Sequence, residues 1–355
     1  MGSSTDIDFR GALDTLGDSS AFDADTVRVV VQDCAAGSAE LPSQYVEDYV
    51  GLLSKVDAAD STSEYGTLAF LADSDGDYSG LDLLSAGSTM TVGVYFGGTA
   101  TDPGYSTDLV ATSASLGNDV TTASFDSSRG GLLSSLSTDG SPSVEDQASS
   151  CCGNSIYGST WSIDPQDAAG DLALLFEGPV VAAVEASGSR SDGSAGYDYS
   201  YIYLAFAGRP ELYSKVYQVT NRSSVLSHAS DYTYGIRPWE TMRSNISSGA
   251  TFTTDAGDAY ADVSNGTWGS AFAFVEAPTY LVDISNYDPY IIVLANDYGP
   301  AGTGTPTTLP SGTAYLDHPV MVHLPHAGDF DSDVQSTLFG LVDGVSVTQG
   351  APEAR

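Results

Sequence analysis

Two runs of aspartates have the spacing with which a calcium-binding loop begins. A hard divalent cation needs several oxygen ligands that converge on one side of a tight turn, and carboxylates two residues apart supply them. In the first run, however, Tyr78 and Leu84 occupy the places where an EF-hand has glycine and glutamate. The sequence therefore predicts two candidate Ca²⁺ or Mg²⁺ sites that are not EF-hands, with solvated turns as the alternative. Their carboxylates are Asp73, Asp75, Asp77 and Asp82 in the first run, and Asp329, Asp331 and Asp333 in the second.

Three of the four histidines lie close together in the sequence. His318, His323 and His326 fall within nine residues, beside Asp317 and Asp329, and imidazole and carboxylate groups are zinc ligands. In an extended segment, however, His323 points away from both other histidines, and the adjacent prolines disfavour a helix that would regroup them. We therefore expect these histidines to pack or to form hydrogen bonds.

Three short motifs suggest a serine nucleophile. Gly17-Asp18-Ser19 resembles the opening motif of GDS-type esterases, Gly117-Asn118-Asp119 their asparagine block, and Asp317-His318-Pro319 their terminal Asp and His. The resemblance implies a hydrolase with Ser19 as nucleophile. The spacing inside the last two motifs differs from that family, and the sequence does not predict the parallel α/β sheet that the family needs. A hydrolase of this type, or a glycosidase with paired carboxylates, is one alternative.

Bases and aromatic residues are concentrated in residues 209–243. This segment holds five of the eleven Lys and Arg residues and only three acids, in a chain of formal net charge −36. Tyr, Trp and Arg are enriched at interface centres, and a cationic patch complements the acidic surface of other copies. The segment therefore predicts a docking surface for a homo-oligomer. Its predicted residues are Arg209, Lys215, Tyr217, Arg222, Tyr232, Tyr234, Arg237, Trp239 and Arg243.

The elements that carry these residues are predicted to be mainly β-strands. Two-residue alternation and β-branched or aromatic runs recur, bounded by Gly, Ser, Asp and Asn. One helical pattern spans 42–58, where four apolar residues share a helix face. The predicted fold is mainly β, with β-sandwich or β-barrel modules and one or two short peripheral helices. The predicted strands include 26–33, 65–72, 89–96, 197–206, 270–276, 280–284, 290–296 and 314–324.

Composition divides the chain into two predicted domains. The small polar residues of 188–196 predict a linker or loop between an N-terminal β-rich domain, 1–187, and a Tyr-rich all-β domain, 197–355. Residues 137–150 have a linker-like composition as well. The alternative is that both stretches are surface loops of one continuous β architecture.

The charge of the chain limits its partners and its surroundings. With 47 Asp and Glu residues against 11 Lys and Arg, the surface is not expected to bind nucleic acid directly. Membrane insertion is not expected either, because the apolar stretches are too short. Such a surface repels itself in dilute buffer and is stabilised when molar salt shortens the Debye length to about 3 Å. The composition resembles that of proteins from extreme haloarchaea.

Taken together, these features resemble structural proteins of haloarchaeal viruses. The chain is predicted to be β-rich, begins without the charged and apolar regions of a secretory signal, and has no convincing catalytic set. The resemblance implies a shell, turret, spike or tail protein that assembles in the host cytoplasm with itself and with other virion proteins. Besides the hydrolase, the alternative is a host-surface or glycan-binding adhesion protein that binds through its Tyr-rich C-terminal strands.

Overall fold

The computed structural model describes residues 2–33, 37–56, 64–71, 89–97, 103–138, 140–148, 156–157, 162–193, 195–226, 230–235, 241–244, 260–287, 290–297, 307–343 and 348–353. Its described strands form open sheets in which neighbouring strands run antiparallel. The mainly β prediction is therefore confirmed. None of the helices within these ranges is long and apolar enough to cross a bilayer.

The described helices are α1 (Phe9–Leu16) and α2 (Ser332–Asp343), with 3-10 turns at Ala24–Thr26, Ser127–Arg129 and Pro165–Asp167. The strands before the central sheet are β1 (Gly2–Asp8), β2 (Arg28–Asp33), β3 (Gly37–Leu41), β4 (Ser43–Glu47), β5 (Tyr65–Leu71), β6 (Val92–Tyr95), β7 (Val110–Thr112), β8 (Ser115–Gly117), β9 (Thr121–Asp126), β10 (Leu132–Thr138), β11 (Ile156–Tyr157) and β12 (Ser162–Ile163). The later strands are β13 (Asp171–Phe176), β14 (Val181–Ser191), β15 (Gly196–Phe206), β16 (Leu212–Thr220), β17 (Ser224–Leu226), β18 (Ser230–Gly235), β19 (Thr241–Ser244), β20 (Tyr260–Ser264), β21 (Trp268–Glu276), β22 (Tyr280–Tyr287), β23 (Tyr290–Asn296), β24 (Thr307–Leu309) and β25 (Ala314–Ala327).

An eight-stranded sheet organises the fold, in the order β13-β14-β15-β16-β25-β21-β20-β19. A four-stranded sheet, β10-β9-β8-β7, covers one of its faces. The two are joined by ring contact between Phe125 and Tyr203, and by Asn118, whose Nδ2 donates to the carbonyl oxygens of Phe206 and Arg209 at 2.7 Å. This pair of sheets is the sandwich that the sequence predicts.

The tyrosines of β15 lie inside this sandwich. Tyr197, Tyr199, Tyr201 and Tyr203 alternate along the strand, so they share the face that the four-stranded sheet covers, and all four are buried. Burial also raises the pKa of each phenol. The expectation that these tyrosines bind a glycan is therefore wrong for β15, because they belong to the core.

The N-terminal elements pack on the opposite face of the eight-stranded sheet. The sheet β1-β5-β4 lies between two apolar clusters: Ala69 and Leu71 belong to the main core, whereas Leu68 and Phe70 face the sheet β3-β2-β6. Gln44 connects this layer to the central sheet, because its Oε1 accepts from the backbone N–H of Val181 at 2.9 Å.

Three sequence predictions need correction. The segment 42–58 is not a helix in its described part, because β4 ends at Glu47 and a turn follows at Asp48, which has a φ of 54°. Val46, Tyr49 and Val50 are buried all the same, whereas Val56 is exposed. The stretch 188–196, predicted as a linker or loop, is not a linker but the end of the β14–β15 hairpin, whose strands pair from Val181 with Phe206 to Ser191 with Gly196. The C-terminal part is not all-β, because α2 packs on β21 and β25.

Candidate functional site

A cleft of about 1220 Å³ opens on the N-terminal side of the central sheet. Glu185, Ser200 and Ile202 line it from β14 and β15. Residues 43–49, which comprise β4 and the turn after it, form another part of the wall, together with residues 175–179 at the end of β13. We call this feature the cleft. Its lining residues come from both of the domains that composition predicts, 1–187 and 197–355.

A β-bulge brings two side chains of β25 into the cleft. Lys215 pairs with Val320 and Tyr217 with Asp317, so a step of two residues on β16 matches three on β25. His318 lies in this bulge with a φ of 56°, a left-handed conformation that is uncommon outside glycine. As a result, Asp317 and His318 both line the cleft, although neighbours in a regular strand point to opposite faces.

Two aromatic pairs lie in the wall of the cleft. The rings of Tyr217 and His318 are stacked, with centroids 4.5 Å apart and planes inclined by 12°. Tyr49 and Phe176 meet edge to face, with centroids 5.1 Å apart. Because each ring is held by its partner, its orientation is largely set before any ligand arrives.

Carboxylates outnumber cations in the lining of the cleft. Glu47 shows the effect of this crowding: desolvation of its carboxyl group raises its pKa, and the charges of Asp48, Asp25 and Asp23 raise it further. On the central sheet, Glu185 Oε1 accepts a hydrogen bond from the hydroxyl of Ser200 at 2.6 Å. The lining carboxylates are Asp25, Glu47, Asp48, Glu177, Glu185 and Asp317.

The two lining cations are both engaged with carboxylates outside the lining. Lys55 Nζ lies 2.9 Å from Asp297 Oδ1, and Arg28 Nε lies 3.3 Å from Glu40 Oε1. Asp297 also accepts from the backbone N–H of Asp317, at 2.8 Å. The cleft therefore has an excess of negative charge and of hydrogen-bond acceptors.

A second polar cluster has the geometry of a Ser-His-acid triad. Ser214 Oγ lies 2.8 Å from His323 Nε2, and His323 Nδ1 lies 3.0 Å from Glu145 Oε2. Ser270 Oγ donates to Glu145 Oε1 at 2.5 Å. The exposed fraction is 3% for Ser214 and 0% for both His323 and Glu145, so a substrate cannot reach the serine. This cluster is a buried hydrogen-bond network that ties residues 140–148 to the central sheet.

His323 and His326 point to opposite faces of the sheet, as the sequence predicts. His326 Nε2 lies 2.8 Å from Asp262 Oδ1, on the face of the sheet opposite to His323, and its ring packs beside Phe330. The three histidines of the sequence cluster therefore have three separate environments. No group of three or more His, Cys, Asp or Glu residues in the described ranges has the arrangement of a metal site.

The second aspartate run caps a helix. Asp331 Oδ1 accepts from the backbone N–H groups of Val334 and Asp333, both at 3.0 Å, and these bonds lower the pKa of its carboxyl group. Asp329 accepts from Ser264 instead, at 3.2 Å. The cation site predicted at 329–333 is therefore corrected to a helix N-terminus. The run of Asp73, Asp75, Asp77 and Asp82 lies outside the described residues.

The predicted docking surface is divided by the fold. Arg209 is buried in an ion pair with Glu211 at 3.0 Å, and Lys215 is buried with its Nζ donating to the carbonyl oxygen of Gly51 at 2.6 Å. These two residues are therefore not surface residues of the chain, which corrects that part of the prediction. Tyr217 lines the cleft, and Arg222 is exposed. Tyr232 and Tyr234 lie in β18 and Arg243 in β19, while Arg237 and Trp239 lie outside the described residues.

The esterase-like motifs have structural roles of other kinds. Gly17 ends α1 in the left-handed conformation, and Asp18 accepts from the backbone of Ser20, which leaves Ser19 in an exposed turn. Asn118 braces the two sheets of the sandwich, as described above. The sheets are antiparallel, so the esterase resemblance does not extend to the fold.

Comparison with known proteins places the fold but not the family. No family model matches the sequence, and no curated protein matches it. The structure is similar to an α-mannosidase from Enterococcus faecalis V583, with a TM-score of 0.55 and 10% identity over 100% of this chain and 45% of that one. It is also similar to a protein in glycosyl hydrolase family 38 from Enterococcus faecalis, with a TM-score of 0.54 and 10% identity over 97% of this chain and 44% of that one. A putative aldose 1-epimerase from Escherichia coli K12 has a TM-score of only 0.37 and 9% identity over 60% of this chain and 98% of that one. This chain thus spans less than half the length of the two Enterococcus proteins, whose likeness shows a shared fold.

Proposed function

We propose that the protein binds carbohydrate in the cleft and acts as a glycan-binding protein in concentrated salt. The observation that carries the proposal is the combination of prearranged aromatic rings with many hydrogen-bond acceptors in one large cavity. The negative face of an aromatic ring attracts the C–H groups of a sugar, and carboxylates accept from its hydroxyls. A solved protein of the same fold is an α-mannosidase, so the scaffold is compatible with such a ligand.

Replacing Tyr217 with alanine should weaken glycan binding by about 2- to 10-fold, the effect of losing one aromatic contact. A glycan array in molar KCl would identify a ligand, and calorimetry would measure its affinity. Tyr217→Phe keeps the ring and should bind like the parent. Tyr95→Ala is the matched control, because Tyr95 is exposed on β6 and is not part of the cleft lining. Equal affinity of Tyr217→Ala and the parent would contradict the proposal.

A role as a structural component of a virus particle is a second proposal, supported by exposed apolar residues on two adjacent edge strands. Val110 is 64% exposed on β7, and Leu174 and Leu175 are 39% and 37% exposed on β13. Each strand is the last of its sheet, and the two strands are in contact. Edge strands offer unpaired backbone groups to another chain, and molar salt strengthens apolar burial. The partner proposed here is a second copy, within an assembly that includes other virion proteins.

This second proposal predicts an assembly larger than a monomer in molar KCl, measured by light scattering after gel filtration. Val110→Asp combined with Leu174→Asp should give monomers, since a charge would have to be buried at the contact. Tyr95→Asp adds a charge at a similarly exposed position and should leave the assembly intact. A monomeric parent protein would contradict the proposal.

A further inference from the structure

We infer that the cleft selects glycans without negative charge, and amino sugars most strongly, and that it rejects sulfated and uronate-containing glycans. This inference rests on the proposed carbohydrate binding and names the class of ligand. Its basis is the cavity with its aromatic walls together with the charges that line it.

The cleft offers acceptors and almost no available cations. Six carboxylates line it, while Lys55 and Arg28 are held by Asp297 and Glu40. A carboxylate has only acceptor oxygens, so it matches a hydroxyl or ammonium donor. A sulfate or uronate group brings further acceptors, and its charge would be placed beside others of the same sign. Such a mismatch costs binding free energy even when each contact fits in shape.

The negative charges of the cleft repel one another even when no ligand is bound. The pKa of Glu47 is raised because its carboxyl group is desolvated and because Asp48, Asp25 and Asp23 repel its charge. Glu47 and Asp48 are exposed, so in molar salt, where the Debye length is about 3 Å, their charges act mainly on groups in direct contact with them. An ammonium group near Glu47 and Asp48 would relieve this repulsion, whereas a sulfate would increase it.

The discriminating experiment is a glycan array in molar KCl that carries neutral, amino-bearing and acidic glycans. It includes β-1,4-glucosamine hexamers in free amino, N-acetylated and N-sulfated form, which differ only at the nitrogen. We expect retention of neutral and amino-bearing glycans, with the amino form bound most tightly and the sulfated form at least about tenfold more weakly. Retention of acidic glycans at equal or greater strength would overturn the inference but leave carbohydrate binding intact. Retention of no glycan would overturn carbohydrate binding itself, and the inference with it.

Two double variants with the same change of net charge test whether the carboxylates of the cleft cause the discrimination against sulfated glycans. Asp48→Asn combined with Glu177→Gln removes two carboxylates from the cleft and should reduce the discrimination against the sulfated hexamer. Asp119→Asn combined with Asp167→Asn makes the same change of net charge at exposed positions outside the cleft and should leave the discrimination unchanged. An equal effect of both pairs would show that net charge, rather than the cleft, sets the selectivity, and would overturn the inference.

Discussion

Replacing Glu145 with alanine is expected to lower the free energy of unfolding by about 3–5 kcal/mol, the typical cost of removing one partner of a buried ion pair or network. Glu145 is fully buried, and its two oxygens accept from Ser270 and face His323 Nδ1. Its removal leaves those donors without their acceptor and a cavity beside the sheet. Chemical unfolding in molar KCl would measure the loss.

The loss should be accompanied by local loosening of residues 140–148. The backbone N–H groups of Val144 and Gln147 bond to the carbonyl oxygens of Leu136 and Leu133, at 2.7 and 2.8 Å, and their hydrogen exchange should become faster. Glu145→Gln keeps the volume and one acceptor oxygen and should cost less than the alanine variant. Asp119→Ala, at an exposed site, should change stability by no more than about 0.5 kcal/mol. A loss below about 1 kcal/mol in Glu145→Ala would contradict the role assigned to the network.

Replacing Lys215 with alanine is expected to cost about 2–5 kcal/mol, as for other long buried side chains. Its Nζ donates to the carbonyl oxygen of Gly51 at 2.6 Å and lies 5.7 Å from the centre of the Tyr49 ring. The side chain thus fastens the turn after β4 to the central sheet. Because Tyr49 lines the cleft, glycan affinity should fall in the same variant.

The only other lysine of the sequence provides the control. Lys55 is more exposed, and its Nζ lies 2.9 Å from Asp297 Oδ1 in an ion pair, so Lys55→Ala should cost about 1 kcal/mol or less. Lys215→Met restores most of the buried volume and should recover part of the stability, but not the hydrogen bond to Gly51. Equal losses in Lys215→Ala and Lys55→Ala would show that the buried lysine does not fasten the two layers.

Local alternation was sufficient to predict eight of the 25 strands that the structure describes. The predicted segment 26–33 corresponds to β2, 197–206 to β15 and 314–324 to β25, because in each a run of β-branched or aromatic residues packs on at least one face. The helices were harder to predict. In α1 the buried residues are only Phe9 and Leu13, one turn apart, which is too short a pattern to distinguish from chance.

The candidate site could not be predicted for a different reason. The cleft is lined by residues from 24 to 318, and no local spacing relates Glu47 to Glu185 or Asp317. In the same way, residues 137–150 have a linker composition, yet Glu145 is buried because its partners, His323 and Ser270, come from distant strands. The wrong helix at 42–58 shows the converse: Val46 and Tyr49 have helical spacing, but a strand and a turn bury them.

The hairpin formed by β14 and β15 does not allow the chain to be divided cleanly between these two strands. Its strands are paired over eleven positions in the middle of the largest sheet. A fragment that stopped at 187 would carry β14 without its neighbour, and the remaining piece would begin with the apolar face of β15 uncovered. Both pieces would then have long, unprotected strand edges, which are the usual starting points of aggregation. Division of the chain at 187 should therefore give two pieces that aggregate.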